Sequence, residues 1–243
     1  MLEQNSWEKF IKARDRFRNF VEALGKSLPF LKDIQQEFAD NRSSSYNVET
    51  PVVYNTALDE ITIDDQIKLI LVADNPGRRE QAAVNRRYLV GPSGKLANNF
   101  FRSNPTLKID FQKNVIILNK TPIHSPRTVE LMELCKIDKS GLLVSALEES
   151  QKTMACLLRE FHDALDCPVW ITGYSEMRKG RLFEVYTENI KKLFTDNKHI
   201  YIYRHFSMNQ FTIDLKQRSL PGESVKKALV RIGTDYRTRI LGK

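Results

Sequence analysis

Read for the spacing of its apolar positions, the chain changes character once, near residue 65. Before that point Trp7, Phe10, Ile11, Phe17, Phe20, Val21 and Leu24 recur at helical spacing, and Gly25 offers a stop. Pro29 then opens a second helical pattern carrying Leu31, Ile34 and Phe38. A polar run over 40–46 is the nearest thing to a linker, and no internal repeat or low-complexity tract is visible. The pattern predicts a helical extension over 1–50, packed on a main α/β domain over 51–243.

Beyond residue 65 short apolar runs alternate with helical patterns. The runs are IKLILVA (67–73), VIIL (115–118), PVWIT (168–172) and HIYIY (199–203). Helical spacing covers 93–101 and 142–165, and then a stretch carrying Leu182, Phe183, Tyr186, Ile190, Leu193 and Phe194. It returns at the end in Val225, Ala228, Leu229, Ile232, Tyr236 and Ile240. Unbroken apolar strands separated by helices belong to sheets covered on both faces. The expected fold is a three-layer α/β/α sandwich around a central, mostly parallel four-stranded sheet. Ligands in that class bind beyond the carboxyl ends of the strands, so the chemistry is sought directly after each one.

Composition narrows the function. Of 243 residues, 41% are hydrophobic, enough for a sizeable core, while 28% are charged and the mean hydropathy is −0.42. No run approaches the roughly 20 apolar residues of a membrane span. The opening MLEQNSWEKF has no apolar run behind a basic start, so no secretory signal is expected and the reading is cytoplasmic: nucleoid-associated in a bacterium, nuclear in a eukaryote. Cys135, Cys156 and Cys167 are too few and too widely spaced for a disulfide framework or a zinc or iron–sulfur site, and read as reduced thiols. The net charge of +8 is concentrated: residues 216–243 carry a net +6 and residues 77–95 a net +4. Two basic zones on a near-neutral body point to a polyanion.

After the first strand come Asp74-Asn75-Pro76-Gly77, where Pro-Gly forces a turn and displays Asn75 at the sheet edge. Gly91-Pro92-Ser93-Gly94-Lys95 then runs a turn into a helix, whose free N–H groups suit phosphate. Asn119 ends the second strand; its amide both donates and accepts. The third ends in Gly173-Tyr174-Ser175, with no group suited to catalysis. Arg204-His205-Phe206-Ser207-Met208-Asn209-Gln210-Phe211 follows the fourth. His124 lies near enough to Asn119 to line the same site, whereas His162 and His199 read as structural.

The run ADNPGRREQAAVNRRYLVGPSGKLANNFF resembles the first signature of the uracil-DNA glycosylase superfamily. The nearest form is the thermophile-type branch, roughly GEAPGxxE and then PFVGxxGKLL, matched by Pro76, Gly77, Glu80, Val90, Gly91, Gly94, Lys95 and Leu96. The segment from His205 resembles the second signature, His-Pro-Ser and a loop that enters the duplex, with Phe206 in place of proline. The resemblance spans roughly 65–215. It implies a monofunctional DNA glycosylase of base excision repair that flips a uracil or related deaminated base and hydrolyses its bond to the sugar.

On that resemblance His205 donates to uracil O2 and Asn75 holds the attacking water. Asn119 pairs with the base edge, accepting from N3–H and donating to O4. Asp74, Tyr88 and Leu89 complete the substrate side, with Tyr88 the expected stacking partner because Leu89 stands where the branch has an aromatic. Pro76, Gly77, Gly91, Ser93, Gly94, Lys95, Ser207, Met208 and Asn209 are expected at the DNA, with Met208 or Phe211 filling the gap left by the flipped nucleotide. The four cysteines of that branch are missing, and no metal or cofactor is expected. Asn75, where the branch has Ala, resembles the mismatch-specific and single-strand-selective branches. The expected partner is damaged DNA, bound by a monomer and away from any membrane. Two alternatives compete: a fold relative that binds nucleic acid with weak or no catalysis, and an unrelated α/β phosphoester enzyme, which would lack the GxxxxGK[ST] spacing.

Overall fold

The computed structural model describes residues 2–195 and 199–242. Four strands, β1 (Leu69–Ala73), β2 (Val115–Asn119), β3 (Val169–Ile171) and β4 (Ile200–Ile202), form one sheet in the order β2-β1-β3-β4. Every pair is parallel, so all four carboxyl ends lie on one edge. Every residue of the central strands β1 and β3 is buried, as the unbroken apolar runs require.

Among the described residues eight α-helices accompany the sheet: α1 (Gln4–Ser27), α2 (Leu31–Asp40), α3 (Pro92–Ser103), α4 (Glu130–Ile137), α5 (Leu142–Leu165), α6 (Glu184–Leu193), α7 (Gln210–Arg218) and α8 (Val225–Leu241). One face of the sheet is aromatic. Trp170 of β3 stacks on Phe101 of α3 and Phe211 of α7, at centroid distances of 5.5 and 5.8 Å. Gly233 lets α8 lie against Tyr201 and Tyr203 beside β4. Elsewhere α5 packs on β2, α1 and α6, and the Phe10 ring of α1 meets Phe161 of α5 edge-on. The result is the α/β sandwich with a helical N-terminal segment. Among the described residues no helix is long and apolar enough to cross a membrane.

Local differences have local causes. Helix α1 continues past Gly25 to Ser27, because a glycine lowers helix propensity without ending a helix whose inner face is fixed by packing. Leu182 and Phe183 precede α6, Phe183 lying buried in the turn that leads into it. In α8 the inward residues Ala228, Leu229, Ile232, Tyr236 and Ile240 are buried as their spacing predicts. Its outer charge is partly paired: Arg231 with Glu223 at 2.7 Å, and Asp235 with Arg218 of α7 and with Arg239 at 2.5 and 3.1 Å.

Candidate functional site

The parallel sheet delivers the residues after its strands to one open cavity of about 750 Å³. Asp74, Asn75, Gly77, Leu89, Gly91, Ser93, His205, Ser207 and Met208 line it. So do Arg78, Arg79, Glu80, Ser125, Arg127, Thr128, Val129, Glu176 and Arg204. Of the other expected site residues, Pro76 is buried behind the wall, where its carbonyl accepts from Ser125 N–H and pairs with His124 Nδ1. Lys95 and Asn209 lie outside the lining.

His205 has a defined tautomer. Its Nδ1 accepts the Ser207 backbone N–H at 3.0 Å, so the proton of the neutral ring sits on Nε2. Burial lowers its pKa, and the Lys120 charge lowers it further, against the opposing pull of Asp74. The ring is therefore a neutral Nε2–H donor on the cavity wall. Asn75 is held from its other end: its Nδ2 donates to the Ser125 carbonyl and hydroxyl at 3.2 and 3.0 Å. Its Oδ1 takes no partner among the described residues and is left to accept a hydrogen bond, as from a water.

Behind Asn75 lies an ion pair that sequence reasoning missed. Lys120, fully buried, places Nζ 2.5 Å from Asp74 Oδ1 and 2.5 Å from the Thr172 carbonyl, with the Phe183 ring beneath it. Burial pushes the Asp74 carboxyl up, but the Lys120 charge and hydrogen bonds from Lys120 and Thr128 outweigh it, so its pKa falls below the usual range. The cavity floor thus carries a carboxylate whose charge is balanced by the Lys120 ammonium behind it. Gly173 makes room for it: at φ +86°, a Cβ there would stand 2.1 Å from Asp74 Oδ1.

Asn119 ends β2 in register with Ala73, but is buried and absent from the cavity lining. Both its amide nitrogen and its oxygen lack partners among the described residues. Leaving a buried amide unpaired costs about 1–3 kcal/mol per group, so Asn119 is a strained point at the end of β2.

The aromatic expectation resolves onto one residue of the pair. Tyr88 is buried, its hydroxyl donating to the Val53 carbonyl at 2.6 Å and its ring near Phe17. Leu89, at φ +54°, turns the other way and lines the cavity. A stacking role for Tyr88 is therefore corrected: adjacent residues point to opposite sides, and its polar tip is committed to the core. The wedge alternatives separate as well. Phe211 is buried and stacks on Phe206 at 4.2 Å, so it is not free to enter a duplex. Met208 is 81% exposed, and it and Asn209 both adopt left-handed backbone at the tip of the loop. Phe206 fills a core position under that loop. His124, fully buried between Pro76 and the Tyr46 hydroxyl, is a strut behind the turn and does not line the cavity.

Helix α3 begins against this wall. A Cβ at Gly94 would stand 1.4 Å from the Leu89 carbonyl oxygen, whereas one at Gly91 would meet nothing within 4 Å. Gly94→Ala should therefore lower stability by about 1–3 kcal/mol or more, and Gly91→Ala, at an ordinary φ of −80°, by no more than about 0.5 kcal/mol. Urea unfolding of the two variants beside wild type checks this; equal losses would mean α3 does not abut Leu89 so closely. The charged groups near the mouth are largely arginines. Arg79 has no ion pair among the described residues, and Arg127 is 72% exposed at its side chain and 3.8 Å from Glu130. Lys226, Lys227 and Arg231 face a separate surface groove at the start of α8. Set against models of known protein families and against curated proteins, the chain matches none.

Proposed function

We propose that this protein is a DNA glycosylase, hydrolysing the bond between a deaminated base, uracil in the first instance, and its sugar. One observation carries the reading: a neutral His205 with its proton fixed on Nε2 shares a cavity with Asn75, whose free amide oxygen is positioned by Ser125. Departure of the base leaves an anion on the base and positive charge on the sugar. A preorganised N–H donor meets the first, and the Asp74 carboxylate faces the second. Asn75 Oδ1 orients a water for attack on the sugar carbon; overall, the hydroxyl goes to the sugar and the water's proton to the base. An amide is a poor base, which suits a slow enzyme. The arginines at the mouth supply phosphate contacts, and Met208 supplies the apolar wedge.

A second reading has a specific observation behind it. Asn119 does not line the cavity and Tyr88 is committed to the core, so recognition of a flipped base lacks two of its expected parts. On that reading the protein binds nucleic acid without excising a base.

The test is a set of oligonucleotides, single-stranded and duplex, each carrying one uracil, hypoxanthine or xanthine. After incubation they are treated with alkali, which cuts at abasic sites. The glycosylase reading expects protein-dependent cleavage at the uracil position. Tight binding with every base retained would sink it and favour the second reading. In the same titrations, alanine at both Arg79 and Arg127 should reduce the salt slope of log K by about 0.9 for each duplex phosphate the protein no longer neutralises. Alanine at Lys226 and Lys227, which stand away from the cavity, should change it less.

A further inference from the structure

The Asn75 turn is gripped from behind by a part of the chain that lies outside the sheet and that the proposed chemistry does not use. His124 is fully buried, and three of its four polar groups are taken by residues of the 35–51 stretch. Its backbone N–H donates to the Pro51 carbonyl at 2.9 Å, its carbonyl accepts from Gln35 Nε2 of α2 at 2.8 Å, and its ring Nε2 meets the Tyr46 hydroxyl at 2.9 Å. The fourth group, Nδ1, faces the Pro76 carbonyl at 2.9 Å. Burial pushes the ring pKa down to about 4, so the ring is neutral at pH 7. A carbonyl only accepts, so the single ring proton sits on Nδ1, and the Tyr46 hydroxyl donates to Nε2.

Pro76 sits inside the turn that displays Asn75. Its carbonyl also accepts the Ser125 N–H at 3.2 Å and lies 3.3 Å from Asn75 Nδ2. The same stretch of chain reaches the far side of the turn, where Arg78 donates to Ser44 Oγ at 2.9 Å and lies over the Tyr46 ring. It reaches Ser125 as well. Arg42 pairs with Glu130, which accepts the Arg127 backbone N–H at 3.0 Å, and the Arg127 carbonyl accepts from the Ser125 hydroxyl at 2.8 Å. With its proton committed to Arg127, that hydroxyl is left to accept from Asn75 Nδ2. Three acceptor oxygens therefore face the Asn75 amine, and a flipped amide would set Oδ1 against all of them.

We propose that Tyr46 and His124 are positioning residues, a relay through which the 42–46 segment holds the Asn75–Gly77 turn and keeps Asn75 Oδ1 presented to the cavity. The relay runs from the Tyr46 hydroxyl through both ring nitrogens of His124 to the Pro76 carbonyl, one residue from Asn75. Without the Nδ1 donor the Pro76 carbonyl keeps only the Ser125 N–H and the weak contact to Asn75, and the peptide that carries the turn is free to tilt. The cavity at the sheet edge is then completed by a segment that belongs to no strand or helix of the sandwich.

The effect on the rate rests on the glycosylase reading, but the relay itself does not, and the experiment separates the two. In ¹⁵N-labelled wild type at pH 7, long-range ¹H–¹⁵N correlations of the His124 ring should show the proton on Nδ1 and none on Nε2. A proton on Nε2, or a charged ring, overturns the relay whether or not the protein excises a base. Tyr46→Phe keeps the ring against Arg78 and His124 and removes only the hydroxyl. In that variant the Asn75 side-chain amide protons should shift and exchange faster with solvent. His124→Leu should move them further, and His124→Asn, whose amide N–H can replace the Nδ1 donor, should stay nearer wild type. Asn75 amide protons unchanged in both Tyr46→Phe and His124→Leu overturn the positioning role. Single-turnover excision should fall about tenfold in Tyr46→Phe and about 100-fold in His124→Leu, the scale of a small misplacement of a reacting group. Oligonucleotide Kd should stay within about twofold of wild type, since phosphate contacts are made elsewhere. A loss shared equally by His124→Asn and His124→Leu, or carried by Kd alone, also overturns the positioning role. No excision by wild type sinks the glycosylase reading and leaves the ring tautomer and the Asn75 amide to decide the relay.

Discussion

On the proposed glycosylase reading, His205→Ala should lower the single-turnover rate of base excision by about 10²–10³-fold, the loss typical of removing one preorganised donor from a developing anion. Binding of the same oligonucleotide should stay within about twofold, since phosphate contacts come from other side chains. The size of the effect follows from how little freedom the ring has. Ser207 N–H holds Nδ1 at 3.0 Å, which fixes the proton on Nε2 and the plane of the imidazole at once. Protonating Nδ1 would set that N–H against a second hydrogen, so burial and geometry both favour the neutral ring. A neutral donor in a partly desolvated wall strengthens its bond as charge grows on the leaving base, so the gain appears in the transition state. Asn75→Ala should also slow excision, by less, because a displaced water can be replaced from an open cavity. If His205→Ala kept a near-normal rate while Asn75→Ala did not, the leaving group would have to be stabilised elsewhere and the assignment of His205 would be wrong.

The fold was legible in the sequence where burial is two-sided. In β1 and β3 both faces are covered, so apolarity runs unbroken and the strand needs no alternation to be seen. The edge positions of Asn75 and His205 followed from strand ends and a Pro-Gly turn. Helices α4 and α7 left no clear trace: each is short, and exposed Met132 and Ile137 in α4 and Ile213 in α7 blur their apolar stripes. Tyr88 and Leu89 show a different limit. Both were expected on the substrate side; in the fold Leu89, with left-handed backbone, lines the cavity and Tyr88 lies in the core. Met208 and Phe211 are equally apolar in sequence and differ because the latter lies on the inward face of α7. Ser125, Arg127 and Arg204 were missed because their place depends on loop paths that spacing does not encode.

Lys120 was the costliest omission, and its removal should produce the largest change in stability. A lysine directly after a strand reads as a solvated turn residue, and its partner lies 46 positions earlier. In the fold it is fully buried, bound to Asp74 and the Thr172 carbonyl. Taking away one partner of a buried pair leaves the other charge uncompensated, at a cost of about 3–5 kcal/mol. Lys120→Met, which keeps the length of the side chain and loses the charge, should therefore lower Tm by roughly 6–20 °C, at about 2–4 °C per kcal/mol for a chain of this size. The pH dependence has a definite sign. In wild type the Asp74 pKa is depressed, so its contribution is present at neutral pH and lost only as pH falls through that lowered value. Without Lys120, burial dominates and raises the Asp74 pKa, so the carboxyl can escape the penalty by taking a proton. The deficit of Lys120→Met should be larger at pH 7.5 than at pH 5. Asp74→Asn in the same background should recover part of it, since a neutral amide has no charge to desolvate. Urea unfolding of wild type, both single variants and the double variant at the two pH values gives the coupling directly. A Lys120→Met protein as stable as wild type at pH 7.5, or a deficit that does not shrink toward pH 5, would show that Asp74 is not held ionised against Lys120 in the wild type. The carboxylate assigned to the cavity floor, and with it the stabilisation of the sugar cation, would then have to be abandoned.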